Sequence, residues 1–458
     1  SASMATRSTA SSGTDPQDPR EPGEAADAPT PGESGADEAV HDPARRAFFF
    51  RFGKQAASAV GQVAGMADVV GRTSSALAGE LLGLDEPEAP ARKPAFVRSG
   101  VAGEPVTSAA APAAEHTYRS AYRLTGEGLV ILDQRRVPDA LDEVVAVRGS
   151  DVAYYLRLGV ARGGPLMAQL AAYGMWLTAA ERADQPAELR SVELRRTEQA
   201  LSDARPSSRL LAVAVERMRA AIAGSGESSP GTEVAAALRA EADAIAAEVT
   251  VSEATLASRL EAALPQPEGR PLTLLLHGGQ GSLIAGQLGA GLTALGRMRE
   301  AGRDLRVFLT EGRPFMDGAR LASWELRQSG IEHKIVPDAG CAWLLERTAF
   351  DAVIVRGEWV AANGDTGALV GARGLAQLVA AAADEDEGRP RLVTVAPSAA
   401  YDAGTPDGGA IPSELRPSRE LATFLAGTPI RASDALVPAA DVIPAGLIDV
   451  HLTDEAVG

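Results

Sequence analysis

Cysteine is almost missing from this chain. Its 458 residues hold one, Cys341, which excludes an internal disulfide and any cysteine-built metal site within one chain. Histidine is scarce too: His41, His116, His277, His333 and His451 show no metal-ligand spacing, so neither a metal nor a cofactor is expected. Aromatic residues make up only 4 %. Basic residues fall short of acidic ones, and a formal charge of -17 leaves no surplus to neutralise a polynucleotide, which argues against a general nucleic-acid binder. No apolar run reaches the roughly 18 residues of a transmembrane helix. A soluble, cytoplasmic protein is the expectation.

What is present begins with hydrophobic residues at 45 %, enough for a sizeable core at a length that fits two or three domains. Residues 1–43 are rich in Ser, Gly, Pro, Asp and Glu, carry almost no large apolar side chain, and read as a disordered extension. The composition then changes sharply. Around the cluster Phe48-Phe49-Phe50-Arg51-Phe52, the residues Phe49, Phe52, Ala56, Val60, Val63, Ala67 and Val70 recur at three- and four-residue spacing, giving one apolar helix face. Leu77, Leu81 and Leu82 mark a second helix ending near Leu84. Residues 44–84 are thus an amphipathic helical segment, tethered by a Pro- and Ala-rich linker over 85–115. It either folds back or self-associates across an oligomer, docks onto another protein or assembly, or attaches to a membrane surface. An export signal is disfavoured by Lys54, Gln55, Gln62 and Asp68 within the apolar stretch.

Residues 116–265 read as a mainly helical domain. A hairpin-like start, with Arg123-Leu124 and Leu129-Val130-Ile131-Leu132 flanking Gly126-Glu127-Gly128, leads into helical periodicity over 151–160, 166–180, 210–223 and 233–264. From 266 to 458 the period changes. Apolar runs at 272–276, 304–309, 331–336, 352–355 and 392–395 alternate with helical segments, one of them running from a first glycine turn to about 302. That alternation predicts a Rossmann-like parallel sheet covered on both faces, and with it an α/β fold. Chemistry in such sheets gathers at the carboxyl strand ends. The first of these is the turn His277-Gly278-Gly279-Gln280-Gly281-Ser282, where glycines let a ligand approach and the amides of a following helix suit a phosphate. The same residues also make an ordinary tight turn.

Longer motifs follow. Glu311-Gly312-Arg313-Pro314, Gly318-Ala319-Arg320-Leu321-Ala322-Ser323-Trp324-Glu325-Leu326 and Ala361-Ala362-Asn363-Gly364-Asp365 resemble the methylthioribose-1-phosphate isomerase family. Its relatives include ribose-1,5-bisphosphate isomerase and the alpha, beta and delta subunits of the eukaryotic initiation exchange factor. Ile411-Pro412-Ser413-Glu414 and Asp441-Val442-Ile443-Pro444-Ala445 extend the resemblance, and upstream so do Arg162-Gly163-Gly164-Pro165 and Ala204-Arg205-Pro206. It covers roughly residues 118–457. The resemblance implies a homodimer and a phosphorylated small molecule held by Arg162 and Arg205, whose planar guanidinium groups suit phosphate oxygens. Gly278, Gly279, Gly281 and Arg313 would complete the binding set.

The chemical groups depart from the family. Gly278 stands where the family carries its catalytic cysteine, and Glu358 where it carries the catalytic aspartate, one methylene longer and so displaced by about an ångström. Asp317 replaces a glutamine, and Ala368-Leu369 an asparagine-lysine pair. Cys341 follows a different strand, beside Trp343 and Leu344, in the company expected of an inert core thiol. His277 either orients backbone or titrates. Asp317 and Glu358 could share a proton or bind a cation, or be two solvated carboxylates. The expectation is a divergent member that binds a phosphosugar or nucleotide, or serves an assembly, without the usual isomerase activity. The alternative is an aldose-ketose sugar-phosphate isomerase with a changed substrate that uses Glu358 and Asp317 as acid and base.

Overall fold

Helical periodicity dominates before Leu272, and short continuous apolar runs alternating with helices follow it. The computed structural model describes residues 120–226, 229–382, 389–422 and 435–455, all within one of two compact units, Arg92–Gly458. The extension 1–43, the amphipathic segment 44–84 and the linker 85–115 lie outside the described residues.

Strands β1 (Tyr122–Thr125), β2 (Gly128–Leu132) and β3 (Glu143–Ala146) form an antiparallel meander. Five helices follow: α1 (Gly149–Arg157), α2 (Gly164–Glu181), α3 (Ala187–Ala204), α4 (Arg209–Ser225) and α5 (Gly231–Ala263). Pro165 sits in the first turn of α2, where its missing N–H costs nothing, and α2 is buried on nearly every face, which makes it the centre of the helical layer. The sequence pattern omits α3. Its buried stripe is Leu194, Thr197 and Leu201 amid charged residues, too narrow to stand out by composition. Helix α5 has 33 residues, roughly 50 Å at 1.5 Å per residue. Its first half, with Val234, Leu238 and Ile245, packs into the helical core, and its second half, with Leu256 and Leu260, packs onto the sheet.

The sheet begins with β4 (Leu272–His277), followed by a single turn α6 (Ser282–Ala285), then α7 (Ala290–Glu300) and β5 (Leu305–Thr310). The expected continuous helix from the glycine turn to 302 is therefore broken. Gly286 has φ +109, and Gly289 approaches Gly281 so closely that an added Cβ would lie 2.2 Å from its carbonyl carbon. Gly318–Ala322 forms a π-helical turn before α8 (Ser323–Gln328), and β6 (His333–Val336), α9 (Cys341–Leu345), β7 (Ala352–Ala361), β8 (Thr366–Leu369), α10 (Ala372–Ala381) and β9 (Arg391–Val395) follow. The short strands β10 (Tyr401–Asp402), β11 (Leu415–Arg416), β12 (Val437–Pro438), β13 (Ala440–Ile443) and β14 (Val450–Leu452) complete the chain.

Six strands pair in parallel in the order β6-β5-β4-β7-β9-β14. Leu272, Leu274 and Leu276 face α5 and α7, while Leu275 faces the other side with Phe308, Val353 and helices α9 and α10. Both faces are thus covered. Strand β7 runs past its expected end at Val355, because its second half pairs antiparallel with β8, which in turn pairs with β13. Arg356 to Ala361 are strand rather than loop. The register shifts between Gly357 and Trp359, so Glu358 occupies a bulge of the kind that re-aims a side chain.

Candidate functional site

From β4 the chain winds outward through β5 and β6, and from β7 it winds the other way through β9. The carboxyl ends of β4 and β7 therefore border the topological switch point, where such sheets bind ligands. A cleft opens there. Gly278 and Gly279 come from the turn after β4, Glu358 from the β7 bulge, and Ala368 and Leu369 from β8. The helical layer adds Arg162, Met167, Arg205 and Ser207, and the loop after β5 adds Phe315 and Asp317. The volume is about 80 Å³, well below the roughly 300–1,000 Å³ of ordinary small-molecule sites.

Of the residues singled out by sequence, Arg162, Arg205, Gly278, Gly279, Asp317 and Glu358 come together in this cleft. Gly281 and Arg313 do not line it. Gly281 backs onto Glu325, whose Oε2 would lie 2.2 Å from an added Cβ. Arg313 is half-buried, with Nε 3.9 Å from Glu311.

Every arginine of the cleft already faces a carboxylate. Arg162 donates from Nη2 and Nε to Asp317 Oδ2 at 3.2 and 3.3 Å, and its guanidinium lies 3.2 Å above the Phe315 ring centroid. Burial pushes Arg162 down to about 10, with Asp317 opposing the shift. Arg205 Nε is 3.0 Å from Glu414 Oε1. Ser207 and Arg416 also donate to Glu414, at 2.6 and 3.0 Å. Burial raises the Glu414 carboxyl, yet Arg205, Ser207 and Arg416 together hold it below the usual range.

Arg356 is the third. Its Nη1 donates to Glu253 Oε2 at 3.1 Å and its Nη2 to Oε1, while its Nε, without a hydrogen-bond partner, faces Glu358 Oε1 at 3.8 Å. Burial lowers Arg356, but Glu253 outweighs it and the guanidinium stays charged. Glu358 is raised by burial, against Arg356 and a hydrogen bond from the Gly164 amide. An added Cβ on Gly164 would stand 2.1 Å from Glu358 Oε2. The carboxylate therefore sits on the first turn of α2, the positive end of the helix dipole.

His277 is buried below this floor. Its Nε2 lies 3.3 Å from the Leu369 carbonyl, which can only accept, so Nε2 carries the proton. Nδ1 then accepts from the Thr310 hydroxyl at 2.9 Å, and the Thr310 oxygen accepts from the Gly278 amide at 3.4 Å. Burial lowers the His277 pKa, and the neutral ring orients the turn. Cys341 lines a different cavity, with Asp338 and Gly371, and burial pushes its thiol up to about 12.

Sequence reasoning missed Glu253, Arg356 and Phe315 as parts of the site. Glu414 stood in a quoted motif without a role. Among the described residues, no group of three or more His, Cys, Asp and Glu is placed to hold a metal ion, and no helix is long and apolar enough to cross a membrane.

A helical layer over a Rossmann-like parallel sheet, with a small ion-paired cleft at the switch point, defines the class of α/β protein. The model of the initiation factor 2 subunit family matches residues 160–457. A methylthioribose-1-phosphate isomerase of Nitrosococcus oceani is 37% identical over 349 residues, covering 75% of this chain and 95% of that protein. Another, of Desulforudis audaxviator, is 36% identical over 333 residues, covering 72% and 91%. The chain belongs to the initiation factor 2 subunit family. Among solved structures, the 5-methylthioribose 1-phosphate isomerase of Pyrococcus horikoshii OT3 shares the fold at a TM-score of 0.63 and 24% identity, covering 74% of this chain and 92% of that one. The delta subunit of translation initiation factor eIF-2B from A. fulgidus does so at 0.58 and 23%, covering 73% and 94%.

Proposed function

We propose that this chain binds a phosphosugar or nucleotide phosphate in the cleft through Arg162 and Arg205, and does not catalyse the isomerisation for which its relatives are named. One observation carries the reading: Gly278 offers no side chain to move a proton, and Leu369 Cδ2 stands 2.8 Å from where its Cβ would be. The chain's one thiol, Cys341, is outside the cleft lining and too basic to ionise near neutral pH. A second reading has one support. The raised Glu358 carboxyl is the kind of group that serves as a general acid, which keeps a changed-substrate isomerase in view. We also take the protein to be a homodimer that serves an assembly, by family resemblance.

Thermal unfolding with pentose phosphates and nucleotides, together with a turnover assay on methylthioribose-1-phosphate, tests this. The wild type is expected to gain melting temperature with at least one phosphate, and an Arg162→Ala, Arg205→Ala double variant to gain none. No phosphate-dependent shift would remove the binding reading. Conversion of methylthioribose-1-phosphate faster than about one per second, near the low end of enzyme rates, and lost in Glu358→Ala, would replace it with the isomerase.

A further inference from the structure

Two cavities meet at one partition. The cleft of about 80 Å³ and an outer cavity of about 190 Å³ are both lined by Arg162, Phe315 and Asp317. What separates them is the ion pair of Arg162 with Asp317, stacked on the Phe315 ring. A second arginine waits on the outer side. Arg320 lines the outer cavity, where its Nε donates to the Val137 carbonyl at 2.8 Å and its Nη2 to the Gln134 carbonyl at 3.4 Å and to that of Arg135. Among the described residues it has no carboxylate within ion-pair distance. Burial lowers Arg320, and Asp317 is the foremost of the carboxylates opposing that, ahead of Asp139 and Asp133. Asp317 caps the start of the π-helical turn that carries Arg320, three residues on. One carboxylate is thus paired with Arg162 and is also the foremost opposite charge acting on Arg320.

The backbone is shaped for a two-position element. Met316, between Phe315 and Asp317, has φ 63 and is the one non-glycine with positive φ among the described residues. An L side chain is strained there. On the near side the loop is pinned, since Gly312 and Arg313 amides donate to the Asp338 carboxylate at 3.0 and 2.6 Å. On the far side it enters the π-helical turn Gly318–Ala322, a local rearrangement that recurs at functional sites. The strained residue lies between the pinned loop and the π-helical turn.

We propose that Asp317 is an internal counter-ion that holds the cleft shut and gives way to an incoming phosphate, leaving Arg162 for Arg320 while Phe315 swings aside and the two cavities join. The proposal rests on the reading that Arg162 binds phosphate. It adds a rule of selection. A monoanionic carboxylate exchanges with Asp317 at no electrostatic gain, whereas a phosphate dianion brings a second charge, so the cleft admits phosphate monoesters and rejects carboxylates and neutral sugars. Asp317 is thus a specificity-determining residue.

Calorimetric titration with inorganic phosphate and with acetate tests this on the wild type, Asp317→Asn, Arg320→Gln, the Asp317→Asn, Arg320→Gln double variant, and each in combination with Arg162→Ala. Asp317→Asn removes the competing charge and keeps the shape. It is expected to bind phosphate about tenfold more tightly, the scale of one charge-assisted hydrogen bond no longer broken, and to bind acetate where the wild type does not. Arg320→Gln is expected to weaken phosphate binding in the wild-type background and to change nothing beside Asp317→Asn. Equal phosphate affinity in wild type and Asp317→Asn, with both abolished by Arg162→Ala, would overturn the switch and leave the phosphate cleft standing. Binding indifferent to Arg162→Ala, or no binding in any of these proteins, would overturn the cleft reading and the switch together.

Discussion

Leu369 Cδ2 occupies the space into which a side chain on Gly278 would grow, 2.8 Å from the position of its Cβ. Gly278 also has φ +73, in the left-handed region where an L side chain costs about 1–2 kcal/mol. Half-buried Leu369 can yield in part, so crowding adds about 1 kcal/mol, the low end of overpacking. Gly278→Ala is expected to lower the unfolding free energy by about 2–3 kcal/mol, and by only about 1–2 kcal/mol beside Leu369→Ala. Urea denaturation of the four proteins checks this. Strict additivity would mean that Leu369 does not crowd position 278.

Five of the six parallel strands were legible as short apolar runs near Gly or Pro, whereas β14 was not, since three residues with His451 in the middle make no apolar run. Strand β7 was legible only to Val355, since Arg356, Gly357 and Glu358 break the apolar run there. Their pairing with β8 depends on residues that carry no strand signal of their own. The cleft was legible where order and residue type met, at Arg162, Arg205, Gly278 and Glu358. Its counter-ions were not. Glu253 lies 103 residues before Arg356 and Glu414 lies 209 after Arg205, and an ion pair closed by tertiary packing leaves no local pattern. Glu253 looks, in sequence, like one more charge on a long helix.

That residue carries a second prediction. Glu253 accepts from the Ala290 amide at 2.8 Å as well as from Arg356, so one carboxylate joins α5, the start of α7 and the cleft. Both partners are buried, at 1% and 5% side-chain exposure. Glu253→Ala leaves a helix-terminal amide unpaired and the buried guanidinium with Glu358 alone, 3.8 Å away, and is expected to cost about 3 kcal/mol of stability. Replacing Glu253 and Arg356 together by Leu and Met is expected to cost less than Glu253→Ala alone, because the buried guanidinium goes with its partner and Glu358, which loses Arg356 at 3.8 Å, keeps the Gly164 amide. Chemical denaturation of both variants reads the difference. A milder loss for Glu253→Ala than for the double variant would show that the Arg356 guanidinium does not depend on Glu253 for its counter-charge.

The last prediction concerns pH. Glu325, on α8, accepts from the Ser282 hydroxyl at 2.7 Å and the Leu283 amide at 3.1 Å through Oε1, and so pins the turn that follows the cleft glycines. Its Oε2 has no hydrogen-bond partner, so an ionised carboxylate there would be poorly solvated. Burial pushes Glu325 up to about 7 from about 4.5 in the unfolded chain, with the bonds from Ser282 and Leu283 opposing. A folded value above the unfolded one means that the folded state holds the proton more tightly. Its contribution is fully present below about 4.5, falls as the pH rises to about 7, and is flat above. The slope approaches 1.4 kcal/mol per pH unit, about the value for one proton. Glu325→Gln does not titrate, so the stability of wild type minus that of Glu325→Gln is expected to decline through this window. Urea unfolding of both proteins from about pH 5 to about pH 8 measures it. A difference that stays constant across that range would mean that Glu325 is already ionised in the folded protein, with its charge met by water or an ion at Oε2.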